Sequence, residues 1–255
     1  MPVQPVQVAV AAAALAGKSA KDAGKLRAAY AAVDRHVKDK QVIGIGSGST
    51  IVFAVDRLAE RVREENLTVQ CVPTSFQAIQ LIRQHNLPLS DLSATPKIDV
   101  AIDGADEMTP DLACIKGGGG CLVQEKIVAY NSDTFVLIAD GSKESDALGT
   151  KWTRGVPIEV IPMAYVPIQK QLEGMGATAK LRMATSKAGP CVTDNGNFII
   201  DAHFGALQGD SLAPAALEKT LCMIPGVVDC GLFVGMAKEA FIGREDGTVM
   251  HYTRD

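Results

Sequence analysis

An α/β protein is predicted: a Rossmann-like, mostly parallel sheet flanked by helices, with a second, smaller α+β domain of ferredoxin-like order. Three observations carry this. Short apolar strands alternate with amphipathic helices along the first half of the chain, the pattern of right-handed crossover units. A strand–helix–strand–strand–helix–strand order follows, as in a small antiparallel α+β unit. The polar motifs fall at the carboxyl ends of the predicted strands, where such sheets bind ligands. The expected domains are residues 1–153 plus 231–255, and residues 154–230.

The elements follow in order. Residues 1–20 are Ala-rich, and the apolar run 8–15 has no Lys or Arg before it and is too short to span a bilayer. A loosely ordered extension is expected there. Residues 22–37 read as a helix with Leu26, Tyr30, Val33 and Val37 on one stripe. Residues 41–46 form a strand that runs into a glycine-rich turn, and 49–65 an amphipathic helix. A strand at 68–73 and a helix at 75–85 follow, the helix turning Phe76, Ile79 and Ile82 inward. Strands at 97–103 and 112–116, a helix at 121–130 and a strand at 134–140 complete the first part. In the second part, 156–162 is a strand bounded by prolines, 166–174 a helix, and 178–183 and 191–193 are extended. Asp194-Asn195-Gly196-Asn197 reads as a tight hairpin turn across which 198–204 pairs back. A helix at 214–224 and a strand at 227–233 close the unit.

Composition narrows the function. Apolar residues make up 47% of the 255 and charged ones 21%, enough to bury a sizeable core. A net charge of −4 without clustered basic residues, and only 5% aromatics, argue against nucleic acid as a partner. The six cysteines are scattered, form no C-x-x-C pair and do not cluster with histidines. Free thiols in a reducing, cytoplasmic setting are the expectation.

Four motifs carry chemistry. Gly44-Ile45-Gly46-Ser47-Gly48-Ser49-Thr50 lies between a strand and a helix, where small residues and helix N–H groups suit a phosphate. The dinucleotide fingerprint is excluded because its third glycine is replaced by Ser49, and the mononucleotide loop because no Lys precedes Ser or Thr. Asp103-Gly104-Ala105-Asp106-Glu107 ends a buried strand and reads equally well as a Mg²⁺ site or as a turn in which Asp103 caps backbone N–H groups. Lys116-Gly117-Gly118-Gly119-Gly120 is too rich in glycine for a plain connector. It suits a mobile arch of N–H donors, with Lys116 supplying positive charge where an oxyanion forms. Glu125 follows early in the next helix, with Lys126 beside it expected on the surface. Lys143, after the next strand, is placed to neutralise a phosphate.

In order and spacing, the segments 46–50, 103–107 and 116–119, with Glu125 nine positions beyond Lys116, resemble ribose-5-phosphate isomerase of type A. Segments 73–77, 156–165, 193–198, 224–229, 231–233 and 246–247 extend the resemblance from about residue 22 to the C-terminal region. The resemblance implies that Glu125 is the catalytic base and that Asp103, Asp106 and Lys116 line the sugar. It implies substrate contacts from Ser47, Gly48, Ser49 and Thr50, from Gly104 and Ala105, from Gly117, Gly118 and Gly119, and from Lys143 and Lys25. It further implies a sugar phosphate as the small-molecule partner, no cofactor and no metal, no nucleic acid or membrane partner, and a homodimer or homotetramer. The activity implied is aldose–ketose exchange through an enediolate in the non-oxidative pentose phosphate pathway. Two rivals use similar scaffolds. A sugar-phosphate sensor leaves Glu125 and Lys116 without a task, and an acyl or CoA transferase predicts a thioester at Glu125.

Overall fold

Short apolar strands alternate with helices in the structure, a computed structural model that describes residues 2–254. In chain order the elements begin β1 (Val3–Val6), α1 (Ala12–Leu15), α2 (Ala20–His36), β2 (Val42–Ile45), α3 (Ser49–Glu65) and β3 (Gln70–Pro73). Next come α4 (Phe76–Gln84), β4 (Ile98–Asp103), β5 (Glu107–Met108), β6 (Cys114–Ile115), α5 (Leu122–Tyr130) and β7 (Ser132–Asp140). The last are β8 (Val156–Val160), α6 (Tyr165–Gly174), β9 (Thr178–Leu181), β10 (Phe198–His203), α7 (Pro214–Cys222), β11 (Val227–Cys230), β12 (Leu232–Phe233), β13 (Glu239–Gly243) and β14 (Val249–Thr253).

The chain divides into two units, Met1–Ala105 with Gln124–Glu144 and Gly235–Asp255, and Asp106–Val123 with Ser145–Val234. The first unit holds a seven-stranded sheet of order β1-β14-β13-β7-β4-β2-β3. Strands β13, β7, β4, β2 and β3 are parallel, while β14 and β1 add antiparallel at one edge. Its core packs Ala28, Ala29, Ala32 and Val33 of α2 and Ile51, Val55 and Leu58 of α3 with Ile43, Ile102 and Ile138. Side-chain caps start two helices: Ser19 accepts from the Asp22 N–H before α2, and Ser75 from the Ala78 N–H before α4.

The second unit contains an antiparallel four-stranded sheet, β11-β8-β10-β9, with α6 and α7, which is the ferredoxin-like order predicted. Its core centres on Ile158, Ile168, Leu172, Ile200, Leu217 and Leu221. A three-stranded sheet, β12-β6-β5, completes it.

Five features depart from the sequence reading. The N-terminal segment is not wholly a loose extension, because Val3–Val6 pairs in register with Val249–Tyr252. This is an edge position, where Pro5 needs no ladder N–H. The divisions also differ from 1–153 plus 231–255 and 154–230. Residues 106–123, 145–153 and 231–234 fall in the second unit, where β6 pairs with β5 on one side and with β12 on the other. The predicted strand 227–233 is two strands in two sheets, parted at Gly231. A side chain there would stand 2.2 Å from the Lys116 carbonyl oxygen. The Asn-Gly turn forms, with Gly196 N–H donating to Thr193 O, but β10 pairs with β8 and β9 and not with residues 191–193. Finally, α4 buries Ala78, Leu81 and Ile82 and leaves Phe76 63% exposed.

Candidate active site

Strands β2, β3, β4 and β7 run parallel, so their carboxyl ends share one edge of the first unit's sheet. At that edge the β2 loop passes directly over Asp103. A Cβ on Gly46 would stand 2.1 Å from Asp103 Oδ1, so only glycine permits the crossing. Asp103 is 2% exposed, and its Oδ1 accepts from the N–H groups of Ser47 (3.0 Å) and Gly104 (2.7 Å). This is the capping role the sequence allowed for it.

Gly48 opens α3 at φ 106°, a conformation that disfavours a side chain, and donates its N–H to Gln77 Oε1 at 2.8 Å. Ser47 Oγ donates to Ser75 Oγ (2.6 Å) and lies 2.8 Å from Thr74 Oγ1. Thr50 is buried in the first turn of α3, while Ser49 is exposed and accepts from Lys25 Nζ at 3.3 Å. Lys25 also pairs with Asp22 at 3.1 Å, and its hydrogen bond, with that of Ser19, holds the Asp22 carboxyl below the usual range. Beyond β7, Asp140 caps a short 3-10 helix, Gly141–Lys143, by accepting from the Ser142 N–H, and Lys143 is half-buried at its end. Ala105 is half-buried after Gly104. The first unit thus brings Lys25, Ser47, Gly48, Ser49, Thr50, Asp103 and Gly104 together, with Lys143 on the same edge.

Glu125 belongs to the same unit. It lies in the first turn of α5 and is 6% exposed. Helix α5 lies against β2: a Cβ on Gly44 would meet Val128 at 2.6 Å. Because α5 ends just before β7 begins, it runs antiparallel to the strands, and its N-terminus points toward their carboxyl edge. Lys126 is buried at 9% exposure, contrary to the surface position expected.

In the second unit, Asp106, Lys116 and the glycines form a braced loop. The Asp106 N–H donates to Ile115 O (2.8 Å), and its Oδ2 accepts from the Gly118 N–H (2.7 Å). Any side chain on Gly118 would strike Asp106 and the Trp152 ring, at 2.6 and 2.7 Å. Gly117 has φ 98°, and Gly119 is exposed with open space around it. Arg182, paired with Asp201, donates to the carbonyls of Gly117 (2.9 Å) and Gly118 (3.2 Å). The arch expected to be mobile is therefore tied at both Asp106 and Arg182. Lys116 is 2% exposed, with Nζ 5.7 Å from the Phe233 ring centroid.

Glu107, the third acid of its motif, is a scaffold residue whose carboxylate accepts from the N–H groups of Gly149 and Lys151. Thr74, Ser75, Gln77 and Arg182, which brace the two loops, lie outside the site residues that the sequence implies. The first three carry a legible signal, since hydroxyls and an amide follow directly on the end of a strand. Arg182 carries none.

The family model described as Ribose 5-phosphate isomerase A (phosphoriboisomerase A) matches residues 70–247. A ribose-5-phosphate isomerase of Sus scrofa is 57% identical over 231 residues, covering 90% of this chain and 74% of that protein. A solved ribose 5-phosphate isomerase A of Methanocaldococcus jannaschii is 43% identical, covers 90% of this chain and 98% of its own, and superposes with a TM-score of 0.83. A D-ribose-5-phosphate isomerase solved in complex with phospho-erythronic acid is 40% identical, with coverage of 91% and 98% and a TM-score of 0.85.

Proposed function

Because the chain belongs to the ribose 5-phosphate isomerase A family, we propose that it interconverts D-ribose 5-phosphate and D-ribulose 5-phosphate through an enediolate. The observation that carries the reading to particular atoms is Glu125, a buried carboxylate in the unit that also holds the phosphate cradle. Exchange of aldose and ketose needs one base that removes the proton from C2 and returns it to C1. Glu125 is that base, and its burial favours a carboxyl able to carry the proton between the two carbons. The proton on O2 moves to O1 through Asp103 or Asp106, which line the sugar with Gly104 and Ala105. Lys116 and the amides of Gly117 and Gly119 in the arch stabilise the charge that develops on oxygen. The Gly118 N–H, donated to Asp106 Oδ2, holds that carboxylate in place instead.

The phosphate sits at the N-terminus of α3, on Ser47, Gly48, Ser49 and Thr50, with Lys25 and Lys143 as counter-charges. Binding energy from this end of the substrate holds the reacting carbons in place. The relative bound to phospho-erythronic acid supports the reading, since that ligand joins a phosphate to a planar, two-oxygen anion. A cytoplasmic location and a homodimer or homotetramer complete the proposal. The absence of disulfides among the described cysteines agrees with the first, and light scattering reads the second.

Turnover of ribose 5-phosphate to ribulose 5-phosphate is the direct test. Glu125→Gln is expected to lower kcat by about 10²–10⁴-fold with KM little changed. Near-normal turnover in that variant removes Glu125 from the role. A thioester trapped at Glu125 with an acyl-CoA favours the transferase instead.

A further inference from the structure

At the C-terminal end of α7, Cys222 Sγ lies 4.0 Å from Cys230 Sγ and 3.5 Å from Asp229 Oδ1. One ligand atom from each of the three residues falls within 4.8 Å of the others. Two thiolates about 2.3 Å from one tetrahedral ion stand roughly 3.8 Å apart, and a thiolate and a carboxylate oxygen on it roughly 3.6 Å apart. The observed separations match both edges to within a few tenths of an ångström. We propose that Cys222, Asp229 and Cys230 form a binding site for a thiophilic divalent cation of the zinc kind, which nothing in the isomerase chemistry calls for.

Local structure prepares the site. The turn between α7 and β11 is tight, with Val227 N–H donating to Ile224 O at 3.0 Å and Gly226 at φ 94°. A bulge between Val227 and Asp229 shifts the register of β11 against β8 just before the ligands, the kind of irregularity that re-aims side chains on an edge strand. Asp229 Oδ1 is oriented by accepting from the Cys230 N–H at 2.7 Å, as ligating carboxylates usually are. Cys230 is buried and Cys222 exposed, so an ion can enter from solvent and keep a water as its fourth ligand. Paired sulfurs select against Mg²⁺ and Ca²⁺, which prefer all-oxygen shells. Binding displaces thiol protons, so affinity falls as pH falls. Bound metal joins the end of α7 to β11 and stabilises the α+β unit by mass action.

The test uses the full-length protein, reduced with a phosphine, stripped by chelation and titrated anaerobically with Co²⁺. A thiolate-to-cobalt charge-transfer band saturating at one equivalent and displaced by Zn²⁺ is expected. Cys222→Ser and Asp229→Asn should weaken cobalt binding by at least the roughly 10–100-fold that loss of an outer-shell partner causes elsewhere. Cys191→Ser, a half-buried thiol of the same unit outside the cluster, should leave the band unchanged. Zn²⁺ should raise the thermal midpoint of the parent protein and not that of Cys222→Ser. Circular dichroism and ribose 5-phosphate turnover establish that each variant is folded. Absence of the band in the parent protein, or an undiminished band in folded Cys222→Ser, overturns the proposal.

Discussion

At Glu107 a fully buried carboxylate accepts from backbone N–H groups at 2.6 and 2.8 Å, tying Gly149 and Lys151 to the start of β5. Burial alone pushes such a carboxyl up, but here the hydrogen bonds from Lys151 and Gly149 outweigh it and hold the group below the ordinary glutamate range. A folded value below the unfolded one stabilises fully above the unfolded pKa and is lost as pH falls through the depressed value. Glu107→Ala should therefore cost about 3 kcal/mol at neutral pH, by leaving the buried Gly149 N–H and the part-buried N–H groups of Thr150 and Lys151 without their acceptor. Its deficit against the parent protein should shrink below about pH 4.5, which urea midpoints measured from pH 7 to pH 3 will read. A constant deficit would show that packing, not charge, is what Glu107 supplies. Asp103 lies four residues earlier with the same chemistry, yet its N–H donors are its own neighbour Gly104 and Ser47 of the glycine-rich loop, so it braces that loop where Glu107 braces residues 149–151.

Between elements, α2 and β13 meet backbone to backbone through a pair of glycines. A Cβ on Gly243 would stand 1.8 Å from the Gly24 carbonyl oxygen, and one on Gly24 would stand 2.8 Å from the Gly243 oxygen. Backbone meets backbone there, so no side chain can rotate away to make room. Gly243→Ala is expected to cost about 1–3 kcal/mol or more through overpacking, lowering the thermal midpoint by several degrees. Because α2 also carries Lys25, the same variant should raise KM for the sugar phosphate. An unchanged midpoint would mean that the helix can slide without penalty. The strand at Val3–Val6 was illegible at this scale because four residues containing a proline and a glutamine carry no useful alternation. Its partner, Val249–Thr253, lies at the other end of the chain.

For the molecule as a whole, a net charge of −4 means that the proposed reading requires local features, the α3 N-terminus and a few lysines, to draw in a phosphorylated sugar against the overall field. No described helix is long and apolar enough to cross a membrane. The proposed mechanism routes no step through a metal. Chelator treatment is therefore expected to leave ribose 5-phosphate turnover intact while lowering the thermal midpoint of zinc-loaded protein. Marked inhibition would revive a Mg²⁺ role for the acids of the 103–107 motif.

Local chemistry made much of this legible beforehand. Apolar period, glycine turns and hydroxyl caps depend on neighbours a few residues away, so the parallel sheet, the ferredoxin-like order and the placing of Ser47–Thr50, Asp103 and Glu125 at element ends could be read from the chain alone. Partners far apart in sequence were decided only by folding. Arg182 braces Gly117 from 65 positions away, Glu107 finds its donors more than forty residues on, and α4 turns Phe76 outward because Ala78, Leu81 and Ile82 fit the sheet better. Periodicity states which residues want burial, but which surface receives them, and which polar group meets which, is settled by the packing that brings distant segments into contact.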